Sequence, residues 1–274
     1  MPRELAYAKL NLVLHVGPLR DDGLHPLCSL VASIDLADEV IAEPADSGAD
    51  SVDCAGVSGD NLAAHALAEF RARAGKKLPP LAVTIDKRIP VAAGLGGGSA
   101  DAAAVLRIAN ELAGSPLGRE ELLRLAADLG SDVPAQLVPG HALVEGTGER
   151  VEPMTLPPLS AVLIPDSDGL STAAVYAELD RLAGVRDSLD PAPLVAAADG
   201  GGKALAAALE NDLQQAALSL RPDLQERLGA LTGAGALGVA VSGSGPTCFG
   251  LFTDRAAADQ AAAQLPGALV SELR

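Results

Sequence analysis

Residues 81–112 change character in a way that few folds can use. "LAVTIDKRI" (81–89) reads as a strand that Pro90 helps to end, and from about Ser99 to Leu112 the spacing predicts a helix. Between them, four of the five positions from Gly94 to Gly98 are glycine. Glycine weakens helix and strand alike, but it allows positive φ and removes side chains that would block a close approach. A helix start behind such a loop adds unpaired N–H groups and the positive end of the dipole. Strand, glycine loop and helix start together form a cradle for an anion, here a polyphosphate. The plain alternative is a flexible connection in which Ser99 is an ordinary N-cap.

Two familiar phosphate loops do not fit. A Walker A loop requires lysine before the Ser, and Gly98 precedes Ser99. The dinucleotide fingerprint, started at Gly94 and Gly96, needs its third glycine where Ser99 stands.

The rest of the chain bounds the class. With 274 residues it can hold one large or two modest domains. Aromatic residues make up only 2%, so the core is built from Ala, Val, Leu and Ile. A net charge of −16 argues against nucleic acid as a partner, while leaving a small anionic substrate open. Cys28, Cys54 and Cys248 are widely spaced and odd in number, which suits a reducing cytoplasm and no zinc site. No stretch is apolar enough to span a bilayer, so no membrane partner is expected.

Strands are expected at 5–17 and 28–45, the second with a turn at 37–39. A helix follows at 61–74 with Gly75 as its stop, then another at 119–129 with Gly130 as a left-handed C-cap. "ALVEGTGERVEP" (142–153) reads as a hairpin. After a boundary near 152–158 come a strand at 160–165, a helix at 172–183 and a loop through 202. Helices at 203–219 and 222–232, strands at 237–242 and 247–252, a helix at 254–265 and a strand at 268–273 complete the chain. With the helices sharing one crossover, that order is βαββαβ, a split-βαβ sandwich.

"PVAAGLGGGSADAAAVL" (90–106) resembles the second motif of the GHMP kinases, the galacto-, homoserine, mevalonate and phosphomevalonate kinases. "AKLNL" (8–12), "DDGLH" (21–25), "LGSDVP" (129–134), "GHALVEGTGE" (140–149) and "SGSGPTCFG" (242–250) resemble further family segments, in order and over nearly the whole chain. The resemblance implies an α+β two-domain fold. Its parts are an N-terminal ribosomal-protein-S5-like α/β domain over residues 1–154 and a C-terminal ferredoxin-like βαββαβ domain over residues 155–274. It implies ATP and Mg²⁺ as cofactors and phosphoryl transfer to a small alcohol, with the active site between the domains. The variant here is that of members acting on a cytidine-diphosphate-linked polyol. Homoserine, a sugar or a mevalonate-type alcohol is the second acceptor class, and a nucleotide-binding protein without turnover the third reading.

By the same resemblance, Pro90, Val91, Ala92, Ala93, Gly94, Leu95, Gly96, Gly97, Gly98, Ser99 and Ala100 bind the ATP phosphates. Lys87 is placed to reach them, with a solvated strand-end charge as its equal alternative. Asp132 becomes the base that accepts the hydroxyl proton, and Lys9 faces the reacting centre. Taken alone, Asp132 reads equally as a turn or capping aspartate and Lys9 as an outward lysine on an edge strand. Asn11, His25, Thr172 and Tyr176 line the cytidine side, and Ser242, Gly243 and Gly245 close over the substrate. Thr172 and Tyr176 are one turn apart on a helix face. Leu24 stands where the family has a second aromatic. The protein ligands of Mg²⁺ stay open, Ser99 being one candidate, and a cytoplasmic monomer or weak homodimer is expected.

Overall fold

The computed structural model describes residues 2–46, 48–57, 61–74, 78–138, 140–166 and 168–274. Its elements begin with β1 Arg3–Val16, β2 Leu27–Pro44, β3 Ser51–Cys54, α1 Leu62–Ala74, β4 Leu81–Asp86 and α2 Gly97–Leu112. Next come α3 Arg119–Leu129, α4 Val133–Leu137, β5 His141–Gly146, β6 Arg150–Met154, β7 Ser160–Ile164 and α5 Thr172–Arg181. The chain continues through α6 Ala192–Asp199, α7 Gly202–Ala207, β8 Glu210–Asn211, α8 Gln214–Leu220 and α9 Leu224–Gly233. It ends with β9 Gly238–Val241, β10 Cys248–Phe252, α10 Arg255–Ala262 and β11 Leu269–Glu272.

The chain divides into two compact units, and β1 and β2 run through both. One comprises Met1–Ala8, Leu36–Val91 and Gly96–Pro139; the other comprises Lys9–Asp35, Ala92–Leu95 and Gly140–Arg274. In the first, β4 pairs antiparallel with β2 from Glu39↔Asp86 to Pro44↔Leu81, and β3 runs parallel to β4. Val40, Val83 and Ile85 from these strands share one core with Leu67 and Phe70 of α1 and with Leu106 and Ile108 of α2. Among the described residues Phe70 is the one aromatic in that core, and the alanines of α2 at 100, 102, 103, 104 and 109 are buried with it. Small side chains replace aromatic bulk by bringing backbones together, which keeps the interior close-packed.

In the second unit, the β5–β6 hairpin lies on β2 in the register Leu27↔Gly146 to Val31↔Ala142. The two-residue β8 joins the end of β1 in parallel, Val13↔Glu210 and Leu14↔Asn211. A separate four-stranded sheet has the order β11-β7-β10-β9, with all three pairings antiparallel. Numbered by appearance these strands run 4-1-3-2, the ferredoxin-like arrangement that the βαββαβ reading predicts. Phe252, Val162 and Val241 of this sheet pack on Leu224, Leu228 and Leu231 of α9.

Several local expectations fail for physical reasons. Ala37–Glu39 is not a turn: β2 passes straight through it, because Asp38 is buried and tied to partners distant in sequence. α2 starts at Gly97 rather than Ser99, with Gly96 at φ 71° as its N-cap, so Ser99 sits inside the first turn. Gly130 ends α3 with φ 160°, extended rather than left-handed. The stretch expected as a loop through 202 contains α6, and the helix expected at 203–219 is broken by β8. Gly75 lies outside the described residues. All three cysteines are buried and free.

Candidate active site

The glycine segment is built from two differently held halves. In the second unit, Ala92–Leu95 lies against the turn between β9 and β10. Thr247 N donates to Ala93 O at 3.2 Å, and Ser242 Oγ donates to Gly94 O at 3.1 Å. Gly94 has φ 76°, and a Cβ there would stand 2.6 Å from Gly245 O and 2.7 Å from Ser242 O. Its glycine is therefore required by both conformation and space. Ala93 and Leu95 are buried, while Val91 is exposed.

In the first unit, the other half starts α2. Ala100 N donates to Gly96 O at 2.9 Å, the first bond of the helix. No side chain caps the helix, and its first turn carries no acid. The early N–H groups and the dipole end therefore meet no internal anion. Gly97 is close-packed, since a Cβ would lie 3.0 Å from Ile89 Cγ2 and 3.2 Å from Lys87 Nζ. At Gly98 a Cβ would meet nothing within 4 Å.

Lys87 is neither solvated nor unaccompanied. Its Nζ donates to Asp38 Oδ2 at 2.5 Å and to Asp101 Oδ2 at 2.8 Å. The other Asp38 oxygen accepts the backbone N–H groups of Arg88 at 2.6 Å and Ile89 at 2.8 Å. One buried cluster thus joins β2, the end of β4 and the second turn of α2, behind the helix start. Burial lifts the Asp101 carboxyl from 3.8 to about 7; Lys87 opposes the rise and Asp38 adds to it. A carboxyl held higher when folded than when unfolded loses stability as pH climbs between those two values. Asparagine escapes that loss. The melting temperature of Asp101→Asn, relative to the parent, is expected to be higher at about pH 8 than at about pH 5. Thermal scans at both pH values check this.

Lys9 lies in the stretch of β1, from Ala8 onward, that is buried on both faces, which removes the reading of it as an outward edge lysine. Its backbone N–H donates to Leu95 O at 3.0 Å, and its Nζ donates to Asn11 Oδ1 at 2.5 Å. Asn11 in turn donates Nδ2–H to Ser29 Oγ at 2.9 Å and its backbone N–H to Ser242 Oγ at 3.4 Å. Gly243 backs onto this pair: a Cβ there would lie 3.0 Å from Asn11 Oδ1 and 3.3 Å from Lys9 Nζ. Lys9, Asn11, Gly94, Leu95, Ser242, Gly243 and Gly245 are therefore assembled in one network.

Asp132 belongs to the other unit, at the N-cap position of α4, just before Pro134. It accepts no capping hydrogen bond from that helix. Asp132 thus stands in a turn, as the plain alternative has it, but does not cap through its side chain, and α4 itself is an element the sequence reading missed.

The residues expected on the cytidine side form a second group. His25 is buried, and its Nδ1–H donates to Gly17 O at 2.8 Å. Its Nε2 lies 3.4 Å from Asp180 Oδ1, and its ring lies 5.3 Å from that of Tyr176 at a 32° tilt. Thr172 Oγ1 and Ser244 Oγ are 2.9 Å apart, and Ser171 caps the helix that carries both Thr172 and Tyr176. Leu24 is half exposed at 50%. The roles of Asp38, Asp101, Ser29 and Asn211 were not found from sequence, because the partners that define them lie 14 or more positions away.

Comparison with known proteins agrees with this layout. The description "GHMP kinases N terminal domain" matches residues 61–140, and "GHMP kinases C terminal" matches residues 194–271. The 4-diphosphocytidyl-2-C-methyl-D-erythritol kinase of Streptomyces coelicolor is 45% identical, over 92% of this chain and 88% of its own. The kinase of the same name from Streptomyces avermitilis is 46% identical, over 94% and 90%. A crystal structure of 4-(cytidine 5'-diphospho)-2C-methyl-D-erythritol kinase superposes with a TM-score of 0.82. It is 34% identical, over 99% of this chain and 98% of that one. With motifs, fold and relatives in agreement over nearly the whole length, the chain belongs to the GHMP kinases, in the family of the 4-diphosphocytidyl-2-C-methyl-D-erythritol kinases.

Proposed function

We propose that this chain transfers the γ-phosphoryl group of ATP to the 2-hydroxyl of 4-diphosphocytidyl-2-C-methyl-D-erythritol, a step in isoprenoid precursor synthesis. The observation that carries the reading is 45% identity over 92% of the chain to a kinase of that name. In this reading the uncapped start of α2 holds the nucleotide phosphates, so backbone dipoles and not a cluster of side-chain cations do most of the binding. The Asp132 carboxylate takes the proton from the acceptor hydroxyl as its oxygen attacks phosphorus and ADP leaves. The Lys9 ammonium, held by Asn11, stabilises developing negative charge.

Mg²⁺ neutralises charge on the phosphates when bound. Among the described residues there is no group of three His, Cys, Asp or Glu that would cage it. Phosphate oxygens and water would then supply most of its ligands, with Ser99 as one protein candidate. No helix among the described residues is long and apolar enough to cross a membrane. The buried, unpaired thiols support a cytoplasmic location, and a monomer or weak homodimer remains the proposed state.

The test is ADP release from Mg·ATP with the cytidyl acceptor, run beside homoserine and mevalonate. Turnover with the first acceptor alone supports the reading, and turnover only with another alcohol removes it. Leu24 gives a graded check. If the base lies beside His25 and Tyr176, Leu24→Tyr adds stacking worth about 1–3 kcal/mol. The acceptor KM is then expected to fall by roughly fivefold or more with the ATP KM unchanged. Initial-rate kinetics on the variant measure it, and an unchanged acceptor KM places the base elsewhere.

A further inference from the structure

We propose that Asn211 is a positioning residue of this kinase: through two backbone carbonyls it holds the glycine turn at 242–245 against the Lys9–Asn11 pair, and so sets where the Lys9 ammonium points. The inference rests on the reading that Lys9 works at the reacting centre.

Asn211 is buried, and its amide is fully committed to the backbone. Nδ2 donates to Val241 O and to Gly243 O, both at 2.8 Å, and Oδ1 accepts from Leu213 N at 2.9 Å. Both amide hydrogens therefore go to one turn, on either side of Ser242. That serine bridges the loop and the strand, donating to Gly94 O and accepting from Asn11 N. Gly243, whose carbonyl Asn211 grips, is the residue backed against Asn11 Oδ1 and Lys9 Nζ. Three links lead from the amide to the ammonium: Asn211 to Gly243, Gly243 to Asn11, and Asn11 to Lys9.

Asn211 is itself anchored to the strand that carries Lys9. It pairs with Leu14 across β8 and β1. The next residue, Asp212, donates its N–H to Leu14 O at 3.0 Å. The Asp212 carboxylate accepts from Val16 N at 2.8 Å and from Nε and Nη2 of Arg186 at 2.7 and 2.8 Å. One strand thus supplies both the ammonium and the base on which its positioning amide stands. The turn has its own internal bond, Gly245 N to Ser242 O at 2.9 Å, and Asn211 adds a hold on the Gly243 carbonyl from outside it.

Asn211→Asp keeps the size and the acceptor for Leu213 while placing oxygen opposite two carbonyls. The expected result is a kcat lower by about 10²-fold, the loss that a displacement near 1 Å produces, with cooperative melting retained. The KM for ATP should stay within about threefold, because the phosphate cradle at α2 is untouched. Asn211→Ser, which keeps one donor, should fall between parent and Asn211→Asp. A folded Asn211→Asp with parent-like kcat overturns the proposal, and so does a loss confined to the KM for ATP. If the Asn211 variants do not fold, Gly243→Ala decides, since it presses a Cβ on the same pair from the opposite side. It must lower kcat in the same way, and a parent-like kcat overturns the proposal. Lys9→Met is run alongside: a parent-like rate there removes the underlying reading, whereas its loss beside an active Asn211→Asp removes only this inference.

Discussion

Asp132→Asn is expected to lower kcat by about 10²–10⁴ with no change in melting temperature, since general-base catalysis contributes on that scale. At about 1.4 kcal/mol per tenfold, the loss is roughly 3–5 kcal/mol of transition-state stabilisation. The fold should not notice. Asparagine has the same shape and keeps a side-chain oxygen in place, and the start of α4 is set by the turn at Gly130 and by Pro134. The KM for ATP should also hold, because the helix start that would bind phosphate is made of backbone. The size of the drop carries information of its own. In phosphoryl transfer with a loose transition state the acceptor proton leaves late, so a base matters less than charge placement. A loss under about tenfold would shift the burden to Lys9, whereas one near 10⁴ would make proton removal dominant. Stopped ADP release in Asp132→Asn, with unchanged thermal scans, is the supporting result; a near-normal rate removes Asp132 as the base.

The strand–glycine–helix segment was readable because each part has a local cause: alternation ending at Pro90, a glycine run, then an alanine-rich helical period. The β order of the C-terminal part was readable for the same reason, each strand being short, apolar and bounded by turn residues. What failed was decided at long range. Ala37-Asp38-Glu39 has the composition of a turn, yet Asp38 sits in a strand because Lys87 and two backbone N–H groups near the end of β4 claim its carboxylate. Three residues of turn-like propensity cannot outweigh a buried ion pair formed 49 positions away.

The site shows the same division. Lys9 and Asn11 lie two apart on a strand, and Thr172 and Tyr176 one turn apart on a helix, so sequence spacing alone puts each pair on one face. Asn211 shows no such pattern, because its partners are the carbonyls of residues 241 and 243, which any residue types would supply. A side chain that reads backbone leaves no complementary residue to find. Lys87 stood as an equal choice between phosphate and solvent, and the structure gives it to a pair of buried carboxylates that no local pattern foretold.

Gly94→Ala and Gly98→Ala should move in opposite directions in stability and in the same direction in function. At Gly94 the new methyl meets two backbone oxygens at 2.6 and 2.7 Å and must also hold φ 76°. A left-handed alanine costs about 1–2 kcal/mol. Forcing the loop off the turn at 242–245 adds roughly 1–3 kcal/mol. The expected loss is thus a few kcal/mol, or several degrees in melting temperature for a chain of this size. Turnover should fall with it, because that turn also backs onto Lys9. Gly98 is the reverse case. It lies in the first turn of α2, and a methyl there meets nothing. Alanine in place of a helical glycine should stabilise the fold by about 0.5–1 kcal/mol. If its glycine serves a ligand, the same methyl must stand in the path of the phosphates and raise the KM for ATP. A more stable Gly98→Ala with ATP affinity intact would mean that the open face of the helix start is not where phosphate binds. A more stable protein that has lost its nucleotide would separate a glycine kept for packing, Gly94, from one kept for what the backbone must touch.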